Sequence, residues 1–325
     1  MRFSNDILKL DPENEIRRIC DFIKKNTLSM RRDGVVIGLS GGIDSALCSE
    51  LCVKALGREN VFGLILPEKD SSPVSEKYAL KQAEKIGIKN EVINIESTLR
   101  GFGTYSKRDE VIRKIFPEYN EKYKIKIALP PDLLKRDAFN FFSLTIDDGK
   151  GNTKSVRLQK AILNTIIAAT NTKQRTRMMH LYYYAEKMNY LVCGTTNRSE
   201  LIQGFFVKYG DGGVDIEPIA HLYKTQVYQL SSQMGVVQEI QLRNPSPDTF
   251  SYEVSDEEFF FRMPYEKLDL LLFAWENKIS IKEVCQVLNL NEDQVNRAFR
   301  DFNAKHEATE HLRMLPPSFL QACEE

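Results

Sequence analysis

The chain has 325 residues, 42% hydrophobic and 28% charged, the composition of an ordinary globular protein with room for one large or two modest domains. Its 45 basic and 45 acidic residues cancel, which excludes a globally basic nucleic-acid surface and leaves only a local patch open. No run approaches the roughly 18 apolar residues of a membrane span, and the N-terminal stretch MRFSNDILKLDPENEIRRIC carries acids where a signal peptide has an apolar core.

Residues 13–30 read as a helix with Ile16, Ile19, Cys20, Ile23 and Leu28 at helical spacing. Val35-Val36-Ile37 predicts a first strand and residues 46–56 the helix after it. Between them stands Gly38-Leu39-Ser40-Gly41-Gly42-Ile43-Asp44-Ser45. A strand, a glycine-rich turn and a helix N-terminus make an anion site. Glycine lets the backbone approach closely, and the unpaired N–H groups of the first helical turn face the anion. Ser40 and Ser45 add hydroxyls, and Asp44 adds a carboxylate suited to Mg²⁺. No Gly-Lys-Ser/Thr closes the loop, so it is not a Walker A loop. Residues 61–66 read as a buried strand closed by Pro67, 73–86 as a helix behind the turn Ser71-Ser72-Pro73, and 91–95 as a third strand. Strands alternating with helices imply right-handed βαβ units and a parallel sheet.

Residues 100–165 break this alternation. Tyr105, Tyr119, Tyr123, Pro130-Pro131 and the run Phe139, Phe141, Phe142 are interleaved with Arg and Lys. Binders of single-stranded nucleic acid share that mixture, but packing beneath a solvated face is the simpler reading. The region is read as an insertion that forms a lid or an oligomer surface. Within it, residues 145–152 carry the Asp148-Gly149 turn of a hairpin. A long helix is expected over 156–188 and a fourth strand over 190–194. Residues 280–285 and 291–302 make two short helices around Leu288-Asn289-Leu290, which mimic a helix-turn-helix; neutral overall charge and few basic residues on the second helix argue against DNA reading. The six cysteines, Cys20, Cys48, Cys52, Cys193, Cys285 and Cys323, form no Cys-x-x-Cys pair, and only four histidines accompany them. Cys48 and Cys52 lie on one helix face, and all six read as free buried thiols of a reducing cytosol.

The fourth strand leads into Gly194-Thr195-Thr196-Asn197-Arg198-Ser199-Glu200. Gly204-Phe205-Phe206-Val207-Lys208-Tyr209-Gly210-Asp211-Gly212-Gly213-Val214-Asp215 and Leu222-Tyr223-Lys224-Thr225-Gln226 follow. A loop at the carboxyl end of a parallel strand is where doubly wound sheets bind ligands. Glu200, one turn into the next helix, is expected to point back at that loop and share Mg²⁺ with Asp44 on the phosphates of a bound ligand. Lys224 supplies a cation for negative charge on those phosphates.

Ser40-Gly41-Gly42-Ile43-Asp44-Ser45 resembles the pyrophosphate loop of the ATP pyrophosphatases. The later motifs, with Asn171-Thr172-Lys173-Gln174-Arg175-Thr176-Arg177-Met178, are similar to the signature of the NAD synthetase family, and together the match spans residues 13–95 and 165–320. The resemblance implies an α/β fold with a doubly wound parallel sheet (adenine nucleotide alpha hydrolase-like, the ATP pyrophosphatase fold) and a helical C-terminal extension. It implies a single domain over 1–325 with the insertion at 100–165, the helical part at 265–325 and no glutaminase domain. It also implies ATP and Mg²⁺. Gly38, Ser40, Gly42, Asp44, Ser45, Thr195 and Lys224 would bind the nucleotide, and Asp44 and Glu200 the metal. Asp44, Lys224 and Ser246 would be catalytic, and Asn171, Arg175, Phe205, Asp211, Asp215 and His311 would bind a dinucleotide acid. In the family, ATP adenylates the carboxylate of nicotinic acid adenine dinucleotide, and ammonia then displaces AMP. Ammonia cannot displace a carboxylate oxygen directly; the adenylate turns that oxygen into a leaving group. Taken alone, Asp211 and Asp215 also suit turns beside glycines, Phe205 suits a core and Arg175 an ordinary helix ion pair. The resemblance further implies a cytoplasmic homodimer, supplied by free ammonia or by a separate amidotransferase.

Departures from the family pattern cluster on the acid. A Gly-Gln-Thr/Ser-Asp-Glu segment that closes over the family's site is here Glu253-Val254-Ser255-Asp256-Glu257. The C-terminal Ser-Glu-His-Lys-Arg is here Thr309-Glu310-His311-Leu312-Arg313, with Leu312 in place of lysine. The insertion is longer than the family norm. None of these touches ATP chemistry. The expected substrate is therefore the dinucleotide acid, with another metabolite or nucleotide-linked carboxylate as the alternative. Intact Asp44, Glu200 and Lys224 argue against a non-catalytic nucleotide-binding protein, and the absence of a basic face argues against an RNA-modifying enzyme.

Overall fold

The computed structural model describes residues 2–135 and 141–319. Helix α1 (Pro12–Ser29) starts behind Asp11, whose carboxylate accepts from Asn14 N at 3.3 Å. Then come β1 (Gly34–Gly38), α2 (Ile43–Leu56), β2 (Val61–Ile65), α3 (Pro73–Ile86), β3 (Lys89–Val92), α4 (Glu96–Phe102) and α5 (Thr104–Ile115). Strands β4 (Lys124–Ala128), β5 (Ser143–Asp147) and β6 (Thr153–Arg157) precede the long α6 (Lys160–Met188) and β7 (Tyr190–Cys193). The chain finishes with α7 (Arg198–Gln203), α8 (Lys224–Met234), α9 (Gln238–Gln241), α10 (Tyr265–Glu276), α11 (Ile281–Leu288), α12 (Glu292–Ala308) and α13 (Glu310–Arg313).

β3, β2, β1 and β7 form one parallel sheet in that order. Both faces are covered, which explains the continuous apolar runs of the central strands. Val35, Ile37, Leu191 and Cys193 face a core shared with α1, α2 and α8, while Val36, Leu64 and Val192 face a second core with Leu99, Tyr105 and Ala185. The chain leaves β1 toward β2 on one side and adds β7 on the other. The switch point therefore lies between β1 and β7, where a doubly wound sheet opens a crevice beyond its carboxyl ends. The Gly38–Ser45 loop and the loop after Cys193 both leave the sheet there.

The expected helix over 73–86 and the hairpin at 145–152 both form. Elsewhere the sequence misleads in definable ways. β3 spans Lys89–Val92 rather than 91–95; it is an edge strand with all four residues exposed, and the apolar Ile93 and Ile95 turn inward only after it ends. The long helix starts at Lys160, because Ser155, Val156 and Arg157 pair with β5. Leu28, the last of the helically spaced apolar positions, is 66% exposed near the end of α1. Cys48, Cys52 and Cys193 are buried together, with Cys52 Sγ 3.7 Å from Cys193 Sγ, but Cys20 and Cys285 are only half-buried. Phe139 and Cys323 lie outside the described residues.

Two further bodies pack on this frame. The antiparallel sheet β4-β5-β6 closes over α5 and α6 around Ile112, Ile125, Ile127, Leu144, Ile146 and Ile166. α10, α11 and α12 gather with the N-terminal Phe3 and Leu8, and the apparent recognition helix α12 spends Val295, Ala298 and Phe302 on that core. Among the described residues no helix is long and apolar enough to cross a membrane.

Candidate active site

The phosphate loop is fixed by its own hydroxyls. Buried Ser45 donates to Gly42 O at 3.1 Å and accepts from Ser40 N at 3.2 Å, while Ser40 Oγ accepts from Gly42 N at 3.2 Å. Gly41 sits at φ +74° against α3, where an added Cβ would meet Ser75 O at 2.2 Å; only glycine permits that conformation and that approach. α2 has no side-chain cap, so its first-turn N–H groups stay available to an anion.

The loop after β7 brings a second set of groups. Asn197 caps α7 in a capping box: its side chain accepts from Glu200 N at 3.1 Å, and Glu200 Oε2 accepts from Asn197 N at 3.2 Å. The other end of the Asn197 amide donates to Asp44 Oδ1 at 2.9 Å. One residue thus starts a helix, aims Glu200 and holds Asp44. Lys224 opens α8. Its N–H donates to Ser199 Oγ at 3.1 Å, and the neighbouring Thr225 N–H donates to Asp269 Oδ2 at 2.7 Å. Asp269 of α10 is fully buried, and burial pushes its carboxyl up to about 6 against these hydrogen bonds.

These supports converge on Lys224 Nζ, which is 2.5 Å from Asp44 Oδ2 and 3.6 Å from Glu200 Oε1. Burial alone would depress the ammonium, but the carboxylates of Asp44, Glu200 and Asp256 reverse that and raise it. Burial, and then repulsion from Asp44, drives Glu200 well above the usual carboxylate range. Asp256 is buried and accepts from Tyr265 OH at 2.9 Å through Oδ2; its Oδ1 is buried with no partner. Three acids therefore surround one ammonium, a site short of positive charge. Among the described residues no three His, Cys, Asp or Glu side chains form a complete metal cage. Asp44 and Glu200 could hold Mg²⁺, which takes one or two carboxylates and completes its shell with water and substrate phosphates.

All of this opens into one cavity of about 610 Å³. Gly38, Ser40, Gly42, Asp44, Ser45, Thr195, Glu200, Lys224 and Ser246 line it, as do Asn171, Phe205 and Asp211. Phe205 stacks on Phe260 with centroids 4.8 Å apart and lies within 5.8 Å of Phe259, so this wall is aromatic. Asp211 accepts from Val207 N at 2.8 Å. Desolvation by its neighbours pushes its carboxyl up to about 6, although the residue itself is exposed.

Arg175, Asp215 and His311 do not line the cavity. Arg175 is exposed and donates to Lys208 O at 3.3 Å. Asp215 accepts from Val192 N at 2.7 Å and Tyr182 OH at 3.2 Å, which ties it to β7. His311 is exposed and engages Lys208 only through its carbonyl, at 2.7 Å.

Several residues that build the site escaped the sequence reading. Asn197 carried a signal, since Asn-x-x-Glu is a capping box. Arg177 lines the cavity and donates to Leu66 O at 3.1 Å, whereas the chosen Arg175 faces outward. Beneath the floor, fully buried Lys173 holds Glu68 at 2.9 Å, Asp70 at 2.7 Å and Thr249 O at 2.7 Å, and Arg108 joins Asp70 at 2.5 Å. That cluster ties the 66–72 loop, α6, α5 and residue 249 together. No local spacing announces it.

The family model described as NAD synthase matches residues 15–130 and 137–316. The NH(3)-dependent NAD(+) synthetase of Rhizobium meliloti is 43% identical over 323 residues, covering 99% of this chain and 96% of that protein. Among solved structures, an NH3-dependent NAD synthetase from Campylobacter jejuni superposes with a TM-score of 0.63 at 24% identity, covering 96% of this chain and all of that one. The NMN synthetase of Francisella tularensis superposes with a TM-score of 0.66 at 22% identity, covering 95% and 99%. At those identities the superpositions speak for the fold.

Proposed function

The chain belongs to the NAD synthase family, and from that premise we propose that it is an ATP-dependent amide ligase acting on nicotinic acid adenine dinucleotide. A carboxylate oxygen of that acid attacks the α-phosphorus of ATP, the bond to the β-phosphate breaks, and pyrophosphate leaves. Ammonia then attacks the carbonyl carbon of the mixed anhydride. A C–N bond forms, the C–O bond to AMP breaks, a proton leaves the nitrogen, and NAD and AMP result.

The observation that carries this reading is the placing of Lys224, Asp44 and Glu200 at the mouth of the phosphate loop. The loop amides receive the phosphates without reorganising. The Lys224 ammonium, kept charged by its acids, meets the negative charge that grows on pyrophosphate. Asp44 and Glu200 would hold Mg²⁺, which when bound neutralises phosphate charge. Ser246, on the opposite wall, is proposed as a further hydroxyl on the phosphates. Asn171, Phe205 and Asp211 form the proposed acid side. Whole-length similarity favours the dinucleotide acid over another metabolite carboxylate.

A homodimer, a cytoplasmic setting and ammonia drawn from solution or from a separate amidotransferase complete the proposal. Exposed Arg175 and His311 would reach a bound dinucleotide only if a second copy brought them near; sedimentation reads that state. The direct test is pyrophosphate release from ATP, Mg²⁺ and ammonia with and without the dinucleotide acid. Dinucleotide-dependent release with NAD formed is the expected result. ATP binding without any stimulation by that acid would overturn the substrate assignment.

A further inference from the structure

Residues 250–262 contain no regular element beyond one π turn, Glu257–Phe261, yet they carry Asp256 to the cavity wall. Such a segment has no ladder of its own, so its position depends on what its main chain can bond. β4 supplies those partners. Its register pairs all five of its residues with β5, while the main-chain groups of Ile125, and of Leu129 just past the strand, turn to the other edge. Tyr252 N donates to Ile125 O at 2.9 Å, and Leu129 N donates to Glu258 O at 3.0 Å. Ile125 N donates to Ser251 Oγ at 3.0 Å.

Side chains repeat the same attachment. Lys126 Nζ is 3.4 Å from Glu258 Oε1 and 4.8 Å from the Tyr252 ring centroid, so one residue grips both ends of the segment. From inside, Phe250, Val254 and Phe259 enter the core of the antiparallel sheet. Asp256 itself is held at its main chain, where its N–H donates to Pro245 O at 3.0 Å, and at its carboxylate, where Oδ2 accepts from Tyr265 OH. The free edge that an antiparallel sheet must cover is here covered by an active-site loop.

We propose that β4 is the positioning edge of the active site. It holds residues 251–258 in the register that keeps Asp256 on the cavity wall beside Lys224, so Lys126 and Ser251, which do not line the cavity, set the reaction rate through Asp256. The insertion is then a frame for the site rather than a lid. The claim about rate rests on the amide-ligase reading; the claim about position does not.

The test is the double variant Lys126→Met/Ser251→Ala, in the wild-type background and with Asp256→Asn. The expected result is a kcat lowered about tenfold with KM for ATP held within about twofold, the scale on which a slightly misplaced group acts. Amide exchange should quicken over 251–258 while β5 and β6 keep their protection. In the Asp256→Asn background the pair should cost nothing further, because coupled residues are non-additive. Lys126→Arg alone should retain the wild-type rate. Equal losses in both backgrounds, unchanged exchange over 251–258, or a general loosening of β5 and β6 would each overturn the proposal. Exchange needs no substrate, so a wild-type protein that made no NAD would sink the functional reading and leave this one still measurable.

Discussion

The two walls of the cavity are built differently. On the nucleotide wall, charged groups sit on a self-bonded loop and on the first turns of helices: Ser40 and Ser45 tie the loop, a capping box aims Glu200, Asn197 holds Asp44, and buried Asp269 caps the first turn of α8. On the acid wall, aromatic rings and one carboxylate hang on an irregular segment that is braced from about 130 residues away in the chain. The first wall carries hydrogen-bonded, charged groups of the kind that electrostatic stabilisation of a transition state requires. The second depends on packing, so its geometry changes more cheaply.

If that contrast holds, the severest loss must come from the nucleotide wall. Lys224→Met keeps the bulk but removes the ammonium from among three acids. Pyrophosphate formation should fall about 10²- to 10³-fold, the scale of a lost preorganised donor, and the buried carboxylates left behind should also lower stability. Initial rates together with thermal melts check both. A rate within a few-fold of wild type would mean that the cluster is structural and that the contrast is misdrawn.

The acid wall should respond more mildly and in a different parameter. Leu312 lines the cavity, at the position where the family resemblance leads one to expect lysine. Leu312→Lys should lower KM for the dinucleotide acid by about two- to fivefold, the worth of a partly solvated charge contact, and leave KM for ATP unchanged. A parallel change in both constants would mean that the two walls are not independent.

The same division explains what was legible in the sequence. The parallel sheet, the phosphate loop, Glu200 and Lys224 follow from runs of a few residues, because strand–turn–helix geometry is local. Even Asn197 was readable as a helix cap. The place of Asp256 was not: the surviving acidic half of its segment marks it in the sequence, but its position comes from β4, paired across a long loop. Lys173 lay in plain view within a motif, but its burial depends on Glu68, Asp70 and Thr249 arriving from elsewhere. Arg175 and Arg177 differ by two positions on α6, about 200° around a helix, and only the surrounding core decides which of them faces the cavity. β3 shows a similar limit, since an apolar Ile93-x-Ile95 pattern is equally a strand or an inward-turning loop.

The smallest effect concerns one acid behind the nucleotide wall. Glu217 packs against Gly194, where an added Cβ would meet its carboxyl at 2.4 Å, and it accepts from Thr196 N at 3.1 Å. Burial pushes it up to about 8 despite that hydrogen bond. An unfolded chain would release this proton near the ordinary glutamate value of 4.5, whereas the folded protein keeps it until about 8. Within that window the unfolded state binds fewer protons, so stability falls as pH rises and levels off above it. Glu217→Gln keeps an acceptor for Thr196 and has no proton to lose. The variant should match wild type near pH 5 and melt on the order of a few degrees higher near pH 8. An equal melting difference at both pH values would mean that the carboxyl is charged throughout, and that the nucleotide wall tolerates an unpaired acid that its other buried groups avoid by pairing with Lys224.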